Sequence, residues 1–343
     1  MKTNEALGLV SEEISKLGLS LAVNKTEAVL FTNKYKYTNP NIILNGQPVE
    51  IKQQMKYLGM VIDWRLLFKA HICEASKKAE KIANQLGRLM PNTGGPKQLR
   101  RKLYVAVTQS VLLYGAPSWA GTLEYVAGNV EQINRVQRKV LLRSICAYRT
   151  VSGTAANILS GMPPADLLAI ERRALFDERK SGRTEDMPPH AKMIATWRKR
   201  INESQTGSWT KLLIPDIESW CSRRHGYLDF HVTQLLSGHG CSGQYLNKIG
   251  KEECSKCHHC QNENDTAEHT LFECPAWDED RRELASVSDL GVALNPGGIV
   301  PFMLSGPQGW EALATYARRV LSAKEIAERE REKPGGPRGR RLR

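Results

Sequence analysis

The stretch CSKCHHCQNENDTAEHTLFEC, residues 254–274, places four cysteines and three histidines in one short segment. Soft ligands crowded in this way point to a metal ion, because tetrahedral zinc takes four Cys or His groups. A Cys-x2-Cys pair makes a tight knuckle whose two sulfurs face one ion. Cys257 and Cys260 form such a pair, and His269 and Cys274 follow in the pattern C-x2-C-x8-H-x4-C. The segment DTAEHTLFEC reads as a helix capped by Asp265 or Thr266, which would carry His269 and Cys274 back to the knuckle. Cys254 with Cys257 is a rival knuckle, and His258 and His259 are further candidate ligands. The polar loop QNEND follows Cys260 directly, which favours Cys257, Cys260, His269 and Cys274 and one zinc per chain. Phe272 is expected to pack the module's small core, with Trp277 the other local aromatic.

The four remaining cysteines, Cys73, Cys146, Cys221 and Cys241, lie in separate segments. They read as small buried residues rather than ligands. Clustering of the others argues for metal rather than a disulfide framework. No signal peptide and no apolar run of membrane length occur, so the chain is expected to be intracellular. Its 49 Lys and Arg against 36 Asp and Glu give +13 over 343 residues, a surplus that suits a polyanionic partner.

Patterning divides the chain into five parts. Residues 1–64 form an α+β piece with no obvious way to close a sheet. Leu7, Val10, Ile14 and Leu17 make a helical stripe ended by Gly18. The second half of LSLAVNKTEAVLF reads as a strand, Asn45-Gly46 between apolar runs signals a hairpin, and KYLGMVID reads as a buried strand. Residues 65–236 are mostly helical. Ile72, Ala75, Ala79, Ile82, Leu86 and Leu89 make one face, and Leu99, Leu103, Ala106, Ser110 and Leu113 the next. A third helix turns Val126, Val130, Ile133, Val140 and Leu141 inward, with Arg135, Arg138, Lys139 and Arg143 on its other face. Trp197, Trp209 and Trp220 are spaced through the rest. Residues 237–285 hold the metal module. Residues 286–330 begin as the Gly/Pro-rich loop LNPGGIVPFMLSGPQG and end as a helix over 309–331. The remainder, 331–343, is basic, lacks an apolar face and is expected to be disordered.

No complete active site is visible. Asp63 stands alone after KYLGMVI, and Asp278, Glu279 and Asp280 read as a helix start. Neither makes a two-metal carboxylate site, and no phosphate-binding loop, HExxH or nucleophile elbow occurs.

Taken in order, LGLSLAVNKTEAVLF, KYLGMVIDWRLLFKAHI, LLYGAPSWA, LLSGHGCSGQYLNKIG and CHHCQNENDTAEHTLFECPAW resemble the downstream part of reverse transcriptases from non-LTR retrotransposons. The nearest likeness is to elements that insert into arthropod ribosomal RNA genes. The resemblance implies that residues 1–64 are the last part of a polymerase palm, with Lys25 of NKTE in the palm motif that follows the active site. It makes KYLGMVID the hairpin that grips the primer, and 65–236 the thumb and connection whose basic faces track an RNA template and DNA primer or target. The family's Tyr/Phe-Ala-Asp-Asp turn is absent from this sequence. The expectation is therefore a C-terminal fragment, inactive alone, whose missing part would use Mg, with any endonuclease of the parent also upstream and the site of action nuclear. The rival readings are a stand-alone zinc-containing nucleic-acid-binding protein and a zinc-stapled protein adaptor.

Overall fold

The structure, a computed structural model, describes residues 2–32, 34, 36–182, 186–287 and 294–331. The expected tail beyond Arg331 lies outside the described residues. Helix α1 (Lys2–Lys16) has its apolar stripe only partly covered: Leu7 and Ile14 are half-buried, Val10 is exposed, and none of its residues is fully buried. Among the described residues, six short strands follow: β1 (Ala28–Val29), β2 (Ile42–Leu44), β3 (Gln47–Val49), β4 (Ile51–Lys52), β5 (Gln54–Tyr57) and β6 (Met60–Asp63). They pair only two by two, β1 with β4 in parallel and β2 with β3 and β5 with β6 antiparallel. The Asn45-Gly46 hairpin is present. Both residues take positive φ, 49° and 76°, as a two-residue turn matched to the strand twist requires.

KYLGMVID is not one strand but the β5–β6 hairpin, turning at Leu58 and Gly59 with φ of 46° and 82°. Left-handed backbone is unfavourable for leucine. The Leu58 carbonyl accepts the Tyr114 hydroxyl at 2.8 Å, which pins the turn to the helical body. Asp63 has a structural task. Its carboxylate accepts from the backbone N–H groups of Arg65, Leu67 and Phe68, ending the hairpin and starting the next helix.

The helical body comprises α2 (Lys69–Gly87), α3 (Gln98–Leu112), α4 (Ala116–Trp119), α5 (Ala127–Ser144), α6 (Gly153–Ser160), α7 (Ala165–Ser181), α8 (Pro189–Glu203), α9 (Ser208–Leu213), α10 (Ile217–Ser222), α11 (Phe230–Ser237), α12 (Gly243–Lys248), α13 (Asp278–Ser286), α14 (Ile299–Ser305) and α15 (Pro307–Arg331). The architecture is thus α+β with helix dominant. Helix α2 buries Ile72, Ala75 and Ala79, and α5 buries Ile133, Val140 and Leu141, as their periodicity predicts, but Leu89 falls past the end of α2 and is exposed. Trp197 and Trp220 are fully buried, and Trp209 packs against the same core.

Helix α3 turns its expected face outward except at Leu113, just past its end, which is buried. Leu99 and Leu103 are 82% and 64% exposed, while Arg101, Tyr104, Val105, Thr108 and Leu112 turn inward. The reason is hydrogen bonding. The Arg101 guanidinium donates to the carbonyls of Pro91, Pro96 and Arg143, at 2.5, 2.9 and 2.7 Å, and the Tyr104 hydroxyl donates to Ala83. A buried arginine that satisfies three carbonyls outweighs two leucines left in water.

The expected Gly/Pro-rich loop also folds further than its composition suggests. Within it, IVPFMLS is helix α14, entered through Asn295, whose side chain accepts the Gly298 N–H, and it buries Ile299, Val300, Phe302 and Met303. One continuous core runs from Tyr104 and Val140 through Trp197 and Trp220 to Leu271, Met303 and Val320. The helical region, the metal module and the last helix therefore share their apolar interior.

Replacing Arg101 by Met should cost about 3 kcal/mol or more in urea unfolding, because three buried carbonyls lose a charged donor. Leu99→Ala and Leu103→Ala should each shift stability by no more than about 0.5 kcal/mol. The opposite ranking would restore the face that periodicity alone assigns to α3.

Candidate metal centre

The Cys/His segment leaves α12 through a turn and folds as a knuckle. The Cys257 N–H donates to Asn262 O at 2.7 Å, and the Gln261 N–H donates to Cys257 O at 2.8 Å. Gln261 takes φ 63°, the left-handed conformation that reverses the chain. Thr266, not Asp265, caps the turn that carries His269, its hydroxyl accepting the His269 N–H at 2.8 Å.

The segment His269–Glu273 is a π-helical turn rather than the α-helix expected. The Cys274 N–H donates to His269 O at 2.8 Å, an i→i+5 bond. This geometry explains the x4 spacing between the last two ligands. In an α-helix, residues five apart diverge by about 140° around the axis. One π turn sets them on the same face.

The ligand atoms of Cys257, Cys260, His269 and Cys274 all lie within 4.8 Å of one another. Cys257 and Cys274 sulfurs are 3.9 Å apart, and Cys260 Sγ is 3.2 Å from His269 Nε2. Metal–sulfur bonds of about 2.3 Å in a tetrahedron imply sulfur–sulfur edges of about 3.8 Å. The donor set therefore fits a tetrahedral soft-ligand ion. Burial pushes the Cys274 thiol up to about 12 and raises the Cys257 thiol as well. Backbone N–H groups of His259 and Cys260 at Cys257, and of Ala276 at Cys274, oppose that rise by stabilising the thiolates. His269 Nδ1 is buried without a hydrogen bond, and the Glu273 carboxylate stands 3.5 Å away. A carboxylate there is the partner that orients a metal-bound imidazole.

The rivals have other roles. Cys254 is exposed and outside the cluster. His258 sits 3.7 Å from Glu252, and His259 packs on Trp277 with ring centroids 4.8 Å apart. Phe272 packs edge-on against Trp209 and into the main core rather than into a core of the module's own. Of the four separate cysteines, Cys146 and Cys241 are buried as expected, but Cys73 is half-buried and Cys221 exposed.

Sequence reasoning missed the residues that fasten the knuckle to the body. Lys324 of α15 and Asp265 are both buried, and Lys324 Nζ meets the two Asp265 oxygens at 2.6 and 2.8 Å and the Thr270 hydroxyl at 2.9 Å. Asp265 also accepts the Gly243 N–H at 2.7 Å. Tyr316 donates to Thr270 O, and Arg281 donates to Cys274 O. One signal was available. Lys324 falls in register with the apolar stripe Leu313, Ala317, Val320 and Leu321 of α15, a position that demands a buried partner.

The basic candidates are dispersed. Lys25 is exposed in the short 3-10 turn Val23–Lys25. On α5, Arg135 is exposed and bonds Gln132, and Lys139 pairs with Glu80 of α2 at 2.5 Å. Arg138 is half-buried and donates to the carbonyls of Arg149 and Val151, so it holds the loop after α5. Arg143 is half-buried. No helix among the described residues is long and apolar enough to cross a membrane.

No family model matches the chain, and no solved structure matches it. It is similar to the Retrovirus-related Pol polyprotein from type-1 retrotransposable element R1 of Bradysia coprophila, 27% identical over 91% of this chain and 32% of that protein. It is 24% identical to the Putative 115 kDa protein in type-1 retrotransposable element R1DM of Drosophila melanogaster, over 93% of this chain and 33% of that protein. It is 24% identical to the Retrovirus-related Pol polyprotein from type-1 retrotransposable element R1 2 of Nasonia vitripennis, over 95% of this chain and 84% of that protein. The chain spans about a third of the length of the first two relatives.

Cys257→Ser, Cys260→Ser, His269→Ala and Cys274→Ser should each lose metal by elemental analysis, whereas Cys254→Ser should retain one equivalent. Retention in Cys257→Ser with loss in Cys254→Ser would identify the rival knuckle. Lys324→Met should cost about 3–5 kcal/mol by leaving Asp265 charged and unpaired. Lys324→Met with Asp265→Asn should cost less than the sum of the two single changes in denaturant unfolding. Strict additivity would mean that the two side chains do not act as a pair.

Proposed function

We propose that this chain, a relative of the Pol polyproteins of R1-type retrotransposable elements, serves as the nucleic-acid-holding portion of a retrotransposon reverse transcriptase. In this reading residues 1–64 are the end of a palm, the β5–β6 hairpin grips the primer, and the helices from α2 onward form the thumb and connection. The Cys257, Cys260, His269 and Cys274 site holds one zinc ion as a structural centre. Zinc suits it because three thiolates and one imidazole in a closed tetrahedron leave no open position for chemistry. The partners are an RNA template and a DNA primer or target, and the place of action is the nucleus. Lys25, Arg135, Lys139 and Arg143 are proposed phosphate contacts. Arg138 contributes to the same face while anchoring its own loop.

The observation that carries this reading is the similarity to R1-type Pol polyproteins along more than nine-tenths of the chain. The surplus of positive charge and the metal-ready ligand set support it. The Asp-Asp turn on which polymerisation depends does not occur in this sequence, so the chain alone is expected to bind without synthesising DNA.

Fluorescence anisotropy with a primed RNA–DNA duplex should show binding that weakens steeply with salt, each phosphate contact adding about 0.9 to the log–log slope. The same chain should make no cDNA when given Mg and nucleotides. Salt-independent binding, or robust cDNA synthesis, would contradict this assignment.

A further inference from the structure

Away from the metal centre, three chain segments bring aromatic rings to one partly solvated spot. Tyr148 and Thr150 come from the loop after α5, Phe230 opens α11, His239 lies in the turn before α12 and Tyr245 within α12. Ring centroids are 4.9 Å apart for His239 and Tyr245, 6.5 Å for Tyr148 and Tyr245, and 5.3 Å for Tyr148 and Phe230. All four rings are half-buried, and Thr150 beside them is exposed. Thr150 Oγ1 ties the rings together, 2.6 Å from the Tyr245 hydroxyl and 3.1 Å from His239 Nδ1. Arg138 holds the loop in place through the carbonyls of Arg149 and Val151.

Around His239 the charge is positive, while Asp229 beside Phe230 is paired with Arg318. Lys248 and Arg138 are the charged groups that act on His239, and Arg149 and Lys248 are exposed at the rim. Burial first, then these two cations, pushes His239 down to about 4, so its imidazole is neutral at physiological pH. Its Nδ1 is engaged by Thr150, which leaves Nε2 as the ring's other polar atom, with no partner among the described residues.

We propose that Tyr148, His239 and Tyr245, rimmed by Arg149 and Lys248, form a stacking subsite for a single-stranded nucleic acid. Bases stack on the tyrosine and histidine rings, His239 Nε2 meets a base edge, and the two cations take the flanking phosphates. Stacking of this kind tolerates any base sequence, because every base has a π face. The proposal rests on the nucleic-acid-holding function above and adds to it a place for an unpaired strand, separate from any duplex track along α2 to α5.

The test uses the full zinc-loaded chain with fluorescein-labelled oligothymidine, and a 5-bromodeoxyuridine version for photocrosslinking. Tyr245→Ala should weaken binding by about tenfold. Tyr245→Phe, which keeps the ring, should bind close to the parent. Arg149→Glu with Lys248→Glu, on exposed side chains, should weaken binding and lower the log–log salt slope by about 1.4, two contacts at about 0.7 each for a single strand. Crosslinks should map to peptides containing Tyr148 or Tyr245. Should Tyr245→Ala not fold, judged by circular dichroism and zinc content, the charge-reversed variant and the crosslink map decide. If the parent binds tightly but the charge-reversed variant binds equally well and crosslinks map elsewhere, the subsite is wrong while nucleic-acid holding stands. If the parent binds neither oligothymidine nor primed duplex at low salt, both are wrong.

Discussion

Asp265 is a buried carboxylate whose charge is met by Lys324. The two come from segments far apart in sequence, and both are withdrawn from water. Neither would be tolerated there alone, since an unpaired buried charge is strongly destabilising. Together with Thr270 and the Gly243 N–H they satisfy one another's hydrogen-bonding capacity. The pair joins three elements at one point: the entry to α12, the turn that presents His269, and the last long helix. The ligand geometry is thus referenced to the helical body rather than to the module's own few apolar residues.

This arrangement changes the meaning of the metal centre. A small knuckle of this kind ordinarily depends on its ion for folding. Here Leu271 and Phe272 belong to the same apolar interior as α11, α14 and α15, and Arg281 and Tyr316 bond its backbone carbonyls. Metal binding would therefore brace a junction between the C-terminal helix and the rest of the chain. The π turn is the local device that makes it work, because it aligns a histidine and a cysteine five residues apart while keeping Leu271 directed inward.

Much of the fold was legible where a local rule acts alone. Asn45-Gly46 gives its hairpin because few dipeptides accept two positive φ values. Helices α2 and α5 bury the faces their periodicity marks. The errors arise where one buried polar group outvotes the pattern. Arg101 rotates α3 away from its leucines. Asp63, read only as a carboxylate without a second one beside it, also organises the start of α2 through three backbone N–H groups. Leu58 adopts a backbone that a strand reading would not allow, and it does so against Tyr114 from the distant turn between α3 and α4.

By itself, the sequence picked out the four candidate ligands that the fold brings together, and the family resemblance. Both depend on residue type and spacing along the chain, and a knuckle and its succeeding turn are local structures. Tertiary structure alone decided that Thr266 is the cap, that Asp265 is free to hold Lys324, and that Arg138 anchors a loop beneath a ring of aromatics. It also decided which basic residues stand in solvent and which already have partners. These outcomes turn on which polar group finds a partner once water is removed, and for Asp265 that partner, Lys324, lies 59 residues away, where no local pattern can point to it.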